Sequence, residues 1–161
     1  MILAGTGHRP EKLGGYGIYA FHALIQVAVS ALTQTKPEKI ISGMALGWDQ
    51  AFARAAVTLS IPFIAAVPFK GQEDRWPESA KKDYFDLLAL ASEVVYVSPP
   101  GYHVSKLHTR NEWMVDHSDG LITIHDGSTE GGTAACLKYA EKVGKPVVLN
   151  VYDEWVKRNK R

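Results

Sequence analysis

Apolar positions come in short dense runs, separated by longer stretches in which they recur every three or four residues. The run Ile2–Thr6 predicts a strand that ends in glycines. Ile18–Thr35 then carries Ala20, Leu24, Val27, Ala28 and Leu32 at helical spacing. Lys39–Gly43 reads as a second strand, Gly47–Leu59 as an alanine-rich helix, and Pro62–Val67 as a third strand stopped by Pro68. The alternation continues with a helix expected over Ser79–Ala91, a strand over Val94–Val97, a helix over Ser105–His117 and a strand over Leu121–Ile124. Thr133–Val143 reads as a helix closed by Gly144, and Val147–Val151 as the last strand, after the turn Lys145-Pro146.

The strand runs are β-branched and almost continuously apolar, the pattern of a sheet covered by helices on both faces. Strand and helix in alternation imply right-handed crossovers and a mainly parallel sheet. The expected fold is one doubly wound α/β domain over residues 1–156, followed by a basic tail over 157–161.

Composition narrows the class. A length of 161 residues with 46% hydrophobic side chains suits a single globular domain, and the lone Cys136 excludes a disulfide scaffold. No apolar run approaches the roughly 20 residues of a membrane span. The opening Met1-Ile2-Leu3-Ala4-Gly5 meets a glycine and then His8-Arg9 too soon for a signal peptide. These features point to a soluble, cytoplasmic protein with no membrane partner. The net charge of +1 is unevenly spread, because the last five residues carry four positive charges and no acid. The body is therefore slightly acidic and the short tail reads as a solvated terminus, which disfavours nucleic acid as a partner.

Candidate chemistry gathers where three strand ends run into glycine-rich text. These are Gly5-Thr6-Gly7-His8-Arg9, Ser42-Gly43-Met44-Ala45-Leu46-Gly47, and Asp126-Gly127-Ser128-Thr129-Glu130-Gly131-Gly132-Thr133. In an open parallel sheet, ligands bind beyond the carboxyl ends of the strands, where backbone amides and helix N-termini favour an anion such as phosphate. Thr6, Thr133 and Ser42 add hydroxyls, and Arg9 a guanidinium suited to phosphate. Asp49 fits either a helix cap or a ligand contact. Trp48 fits either base stacking or core packing, while Trp76, Trp113 and Trp155 read as packing residues. Arg110 and Asn111 lie on the helix before the fifth strand, where spacing with Asp116 and Asp119 favours an ordinary polar helix face. His22 reads as a core histidine. The six histidines show no paired ligand spacing, so no metal site is expected, and neither a nucleophile elbow nor a P-loop is present.

The loops also carry a family resemblance. Gly5-Thr6-Gly7-His8-Arg9-Pro10 followed by Lys12-Leu13-Gly14-Gly15-Tyr16 resembles the opening of the YpsA-like proteins of the SLOG superfamily. That superfamily groups the DNA-processing protein A proteins with the LOG "lysine decarboxylase-like" proteins. Ser42 to Asp49, Arg110-Asn111, Asp116 to Asp119, Gly131-Gly132-Thr133 and Gly144-Lys145-Pro146 continue the match over about residues 2–149. The resemblance implies a Rossmann-like fold that binds a nucleoside phosphate or ADP-ribose-like molecule, for sensing or sequestration, without a separate cofactor. Its ligand-binding residues would be Gly5, Thr6, Gly7, His8, Arg9, Ser42, Gly43, Met44, Ala45, Gly47, Asp49, Arg110, Asn111, Asp126, Gly127, Gly131, Gly132 and Thr133. It also implies a homo-oligomer.

Two alternatives come with the family: an N-glycosidase acting on nucleoside monophosphates, and a single-strand DNA-binding accessory protein. For the first, Arg110 matches the phosphoribohydrolase pattern, but Ala135 and Cys136 stand where that pattern has glutamates. Glu112 and Glu130 are the nearby carboxylates that would have to substitute.

Overall fold

The computed structural model describes residues 1–159. Within them, β1 (Ile2–Gly7), β2 (Lys39–Ser42), β3 (Phe63–Val67), β4 (Glu93–Tyr96), β5 (Gly120–Ile124) and β6 (Val147–Asn150) form one sheet in the order β4-β3-β2-β1-β5-β6. Every neighbouring pair is parallel. The intervening helices are α1 (Ile18–Thr35), α2 (Trp48–Thr58), α3 (Glu78–Leu88), α4 (Val104–Asp116) and α5 (Gly132–Lys142), and α6 (Tyr152–Asn159) follows β6. This is the doubly wound Rossmann-like α/β fold that the alternation of runs predicts.

The strand order explains the two layers. From β1 the chain steps outward through β2 and β3 to β4, then returns past β1 to β5. With right-handed crossovers, reversing direction puts the later helices on the opposite face. One core accordingly joins Leu24, Val27, Phe52, Ala55, Tyr84 and Trp155 to the sheet, while a smaller one joins Met114, Val115, Cys136 and Ala140 to its other side. The reversal falls between β1 and β5, which opens a crevice at their carboxyl ends.

Two glycines of the first motif govern how closely α2 approaches β1. A Cβ on Gly5 would stand 2.6 Å from Phe52 Cδ2, and one on Gly7 would stand 2.7 Å from Trp48 Cδ1 and 2.4 Å from Ile124 Cγ2. Trp48 is fully buried and packs on Phe52, ring centroids 5.5 Å apart, so its role is core packing.

Three features depart from the sequence reading. The edge strands β4 and β6 are not covered on both faces, and Val94, Tyr96, Val147 and Val148 are exposed. His22 is exposed on α1 rather than buried, because it falls on the solvent side of the helix. The expected tail begins as helix: Lys157 and Arg158 form the last turn of α6, with Arg158 paired to Glu154 at 3.1 Å. Lys160 and Arg161 lie outside the described residues. Trp155 anchors α6 in the core, and the Tyr152 N–H is capped by Asn150 Oδ1 at 3.1 Å. No described helix is long and apolar enough to cross a membrane.

Candidate functional site

At the carboxyl edge of β1, β2 and β5 the chain surrounds a cavity of about 760 Å³. Its walls include Thr6, Gly7, His8 and Arg9 after β1, Ala45 and Asp49 at the start of α2, Arg110 and Asn111 on α4, and Glu130 to Thr133 leading into α5. Twelve residues from four separated segments therefore converge on one concave surface. Gly5, Ser42, Gly43 and Met44 are buried and are not among its walls. Gly47 faces a neighbouring cavity, Asp126 and Gly127 stand beside His8 outside the lining, and Glu112 is exposed on α4 away from it.

The floor is built from groups that satisfy one another. Ser42 donates its hydroxyl to the Asp49 carbonyl at 2.7 Å and accepts the Met44 N–H at 3.2 Å. The Asp49 carboxylate accepts the Ala45 N–H at 3.2 Å. It thus ties down the loop after β2 as well as facing the cavity. Arg110 is 5% exposed; its Nη1 donates to the Gly43 carbonyl at 2.7 Å and the Ala66 carbonyl at 3.4 Å, and its Nε to Asn111 Oδ1 at 2.9 Å. These bonds bolt α4 to the ends of β2 and β3. Gly43 lets the two charges pass, since a Cβ there would stand 2.7 Å from Arg110 Nη1 and 2.8 Å from Asp49 Oδ2. Burial pushes the Asp49 carboxyl up, opposed by Arg110, the Ala45 N–H and Arg9. Burial likewise lowers the Arg110 guanidinium, opposed mainly by Asp49.

The rim is different. Arg9 is exposed and makes no ion pair or side-chain hydrogen bond among the described residues. The N-terminus of α5 is capped by Gly131, whose φ of 102° is the left-handed region that favours glycine, and no side chain caps its amides. No atom lies within 4 Å of a Cβ built on Gly131 or Gly132, and neither amide donates a hydrogen bond among the described residues. Unpaired backbone donors and a helix N-terminus beside a free guanidinium are the kinds of group that attract an anion.

Beside the cavity, His8 and His125 bring their ring centroids to 4.8 Å, next to Asp126. Spacing along the chain gave no sign of this, because the contact joins β1 to β5 across 118 residues. The donor atoms of this trio lie within 4.8 Å of one another. His8 Nε2, however, accepts the Asp126 N–H at 3.0 Å, and His125 Nδ1 accepts the Gly127 N–H at 3.3 Å. These two bonds make the trio a clasp for the loop after β5, while His125 Nε2 is buried with no hydrogen-bond partner among the described residues. Hydrogen bonds from Ser128 hold the Asp126 carboxyl well below the usual range. Burial, and then His8, lowers the His125 imidazole.

The glutamate positions of the phosphoribohydrolase pattern are chemically quiet. Ala135 is exposed, and burial pushes the Cys136 thiol up to about 11. A thiol so protonated at neutral pH is neither base nor nucleophile. Glu130 alone of the two substitute carboxylates borders the cavity.

The sequence profile of the YspA SLOG family matches residues 3–152. The SPbeta prophage-derived protein YoqJ of Bacillus subtilis is 33% identical over 74% of this chain and 78% of its own length. The UPF0398 protein YpsA of the same organism is 30% identical over 88% of this chain and 84% of its own. Among solved structures, DNA processing protein A of Streptococcus pneumoniae superposes with a TM-score of 0.65 at 17% identity, covering 99% of this chain and 56% of the pneumococcal one. The Helicobacter pylori protein, described by its single-stranded DNA binding mode, also gives 0.65, at 20% identity over 98% of this chain and 72% of its own. At these identities the two structures share the fold. A family profile that spans residues 3–152, with relatives 30–33% identical over most of the chain, settles the family: the chain belongs to the YspA SLOG family.

Proposed function

We propose that the chain binds a nucleotide-derived small molecule, a nucleoside phosphate or ADP-ribose-like compound, for sensing or sequestration in the cytoplasm. The observation that carries this reading is the set of anion-attracting groups on the cavity rim. There the uncapped amides of α5 and the unpaired Arg9 border a space of about 760 Å³. That volume lies within the roughly 300–1,000 Å³ of small-molecule sites. A phosphate fits the rim, the nucleoside fits the space toward Tyr102 and Leu107, and Arg110 sets the charge of the floor. The homo-oligomer implied by the family belongs to the same proposal.

The test is thermal unfolding across a nucleotide panel, with the ligand analysed afterwards by mass spectrometry. Binding predicts a rise in Tm with the ligand recovered intact. No shift with any nucleotide would overturn the reading. Release of free base and ribose phosphate would replace it with N-glycosidic cleavage, in which Glu130 is the available carboxylate.

A second reading rests on fold likeness. A protein of the same fold is described by its single-stranded DNA binding mode, so the slightly acidic body no longer suffices to exclude nucleic acid. Salt-sensitive retention of a single-stranded oligonucleotide, lost in Arg9→Ala, supports this second reading.

A further inference from the structure

Arg9 borders more than the glycine-loop cavity. Beyond the turn that contains Pro10 and Tyr16, a second cavity of about 900 Å³ opens between the start of α1, the middle of α2 and the segment leading into α3. Arg9 and Leu46 line both cavities, so the two meet at that pair.

The second cavity is also built for an anion. Arg54 and Arg75 line it with Arg9, and none of the three makes an ion pair or a side-chain hydrogen bond among the described residues. Asp83 is the one carboxylate in its walls. α1 starts in this groove at Gly17, with no side-chain cap and no acid in its first turn. Aromatic surface stands beside these charges. Trp76 is half-buried and held edge-on against Tyr84, ring centroids 5.3 Å apart, while Tyr16 is exposed and donates its hydroxyl to Glu11. Guanidinium groups beside fixed aromatic rings are the recurring means of holding a phosphate and stacking a base. Either cavity alone has the volume of a complete small-molecule site. A mononucleotide would leave one of them empty.

We infer that the ligand is a dinucleotide that spans both cavities, an inference that rests on reading the first cavity as a nucleotide site. One nucleoside occupies the glycine-loop cavity, the linking phosphates sit at Arg9, and the second base lies in the groove against Trp76 and Tyr16. A terminal phosphate on the second half meets Arg54 and Arg75. The recognised chemistry is two nucleosides joined through phosphate, and it has two sources: a 3′–5′ phosphodiester or a 5′–5′ pyrophosphate bridge.

The test is isothermal titration calorimetry of the full chain with four probes: AMP, linear diadenylate with a 5′-phosphate, diadenosine diphosphate, and a twelve-residue oligodeoxythymidylate. One of the two dinucleotides is expected to bind at least about tenfold more tightly than AMP, and which one identifies the linkage. If the 5′-phosphorylated diadenylate carries the advantage, Arg54→Ala and Arg75→Ala should remove it; if diadenosine diphosphate, which has no terminal phosphate, carries it, Tyr16→Ala should remove it; each variant leaves the AMP affinity within about twofold. If AMP binds and neither dinucleotide binds more tightly, the spanning ligand is wrong and the single site stands. If AMP and both dinucleotides fail to bind, the nucleotide reading itself falls, and the inference with it. Tighter binding of the oligonucleotide than of either dinucleotide would overturn the inference in favour of a strand-binding groove.

Discussion

The floor and the rim of the cavity are built from the same kinds of residue, yet they do different work. On the floor, Arg110, Asp49 and Ser42 are bound to the protein's own backbone. On the rim, Arg9 and the amides of Gly131 and Gly132 have no protein partner. The glycines divide in the same way. Gly5 and Gly43 make room for a side chain of the protein, whereas Gly131 and Gly132 leave room for something else. A glycine-rich motif is therefore one signature with two physical outcomes, close packing and open backbone. Variants that separate stability from binding tell them apart.

The largest expected effect is on the floor. Arg110→Leu leaves the buried Gly43 and Ala66 carbonyls without their donor and removes the charge that opposes burial of the Asp49 carboxylate, and should cost about 3 kcal/mol of unfolding free energy in a urea titration. Adding Asp49→Asn should recover part of that loss. Full additivity of the two changes would show that the charges do not interact.

Next come the glycines. Gly5→Ala forces a methyl group to 2.6 Å from Phe52 and should cost about 1–3 kcal/mol, with ligand affinity changed little. Gly132→Ala meets no atom within 4 Å and should leave stability within about 0.5 kcal/mol while weakening ligand binding. The opposite ranking would erase the distinction between packing and access glycines. Arg9→Ala should behave like Gly132→Ala, with Tm unchanged and affinity for a phosphate ligand reduced about tenfold.

The smallest effect concerns the clasp beside the cavity. The His125 imidazole is lowered from 6.5, so the folded chain binds fewer protons than the unfolded one just below that value. Its contribution to stability is present above pH 6.5 and is lost as the pH falls through the folded value. The urea midpoint should therefore drop between pH 7 and pH 5, and drop less in His125→Asn. An equal drop in both would remove His125 from the account.

The fold was legible because each element of the alternation is local. α1 was read with its final bounds, since one stripe of apolar residues defines it. α6 was missed: it is one short helix, and the spacing of Tyr152, Trp155 and Val156 covers only one turn. The edges were read as covered because an apolar run does not reveal whether its strand is central or last in the sheet. At the site, sequence identified the loops that line the cavity but not which of their groups are already occupied. Arg110 reaches Gly43 across 67 residues, and no local pattern reports that bond. His8 and His125 likewise meet only through the pairing of β1 with β5.

The central claim is that the rim binds phosphate, and the most direct measurement is a calorimetric comparison of a nucleoside monophosphate with its unphosphorylated nucleoside on the same protein. The account predicts that removing the phosphate weakens binding at least about tenfold, the worth of one charge-assisted contact. Equal affinity for the two, or heat from neither, would contradict it.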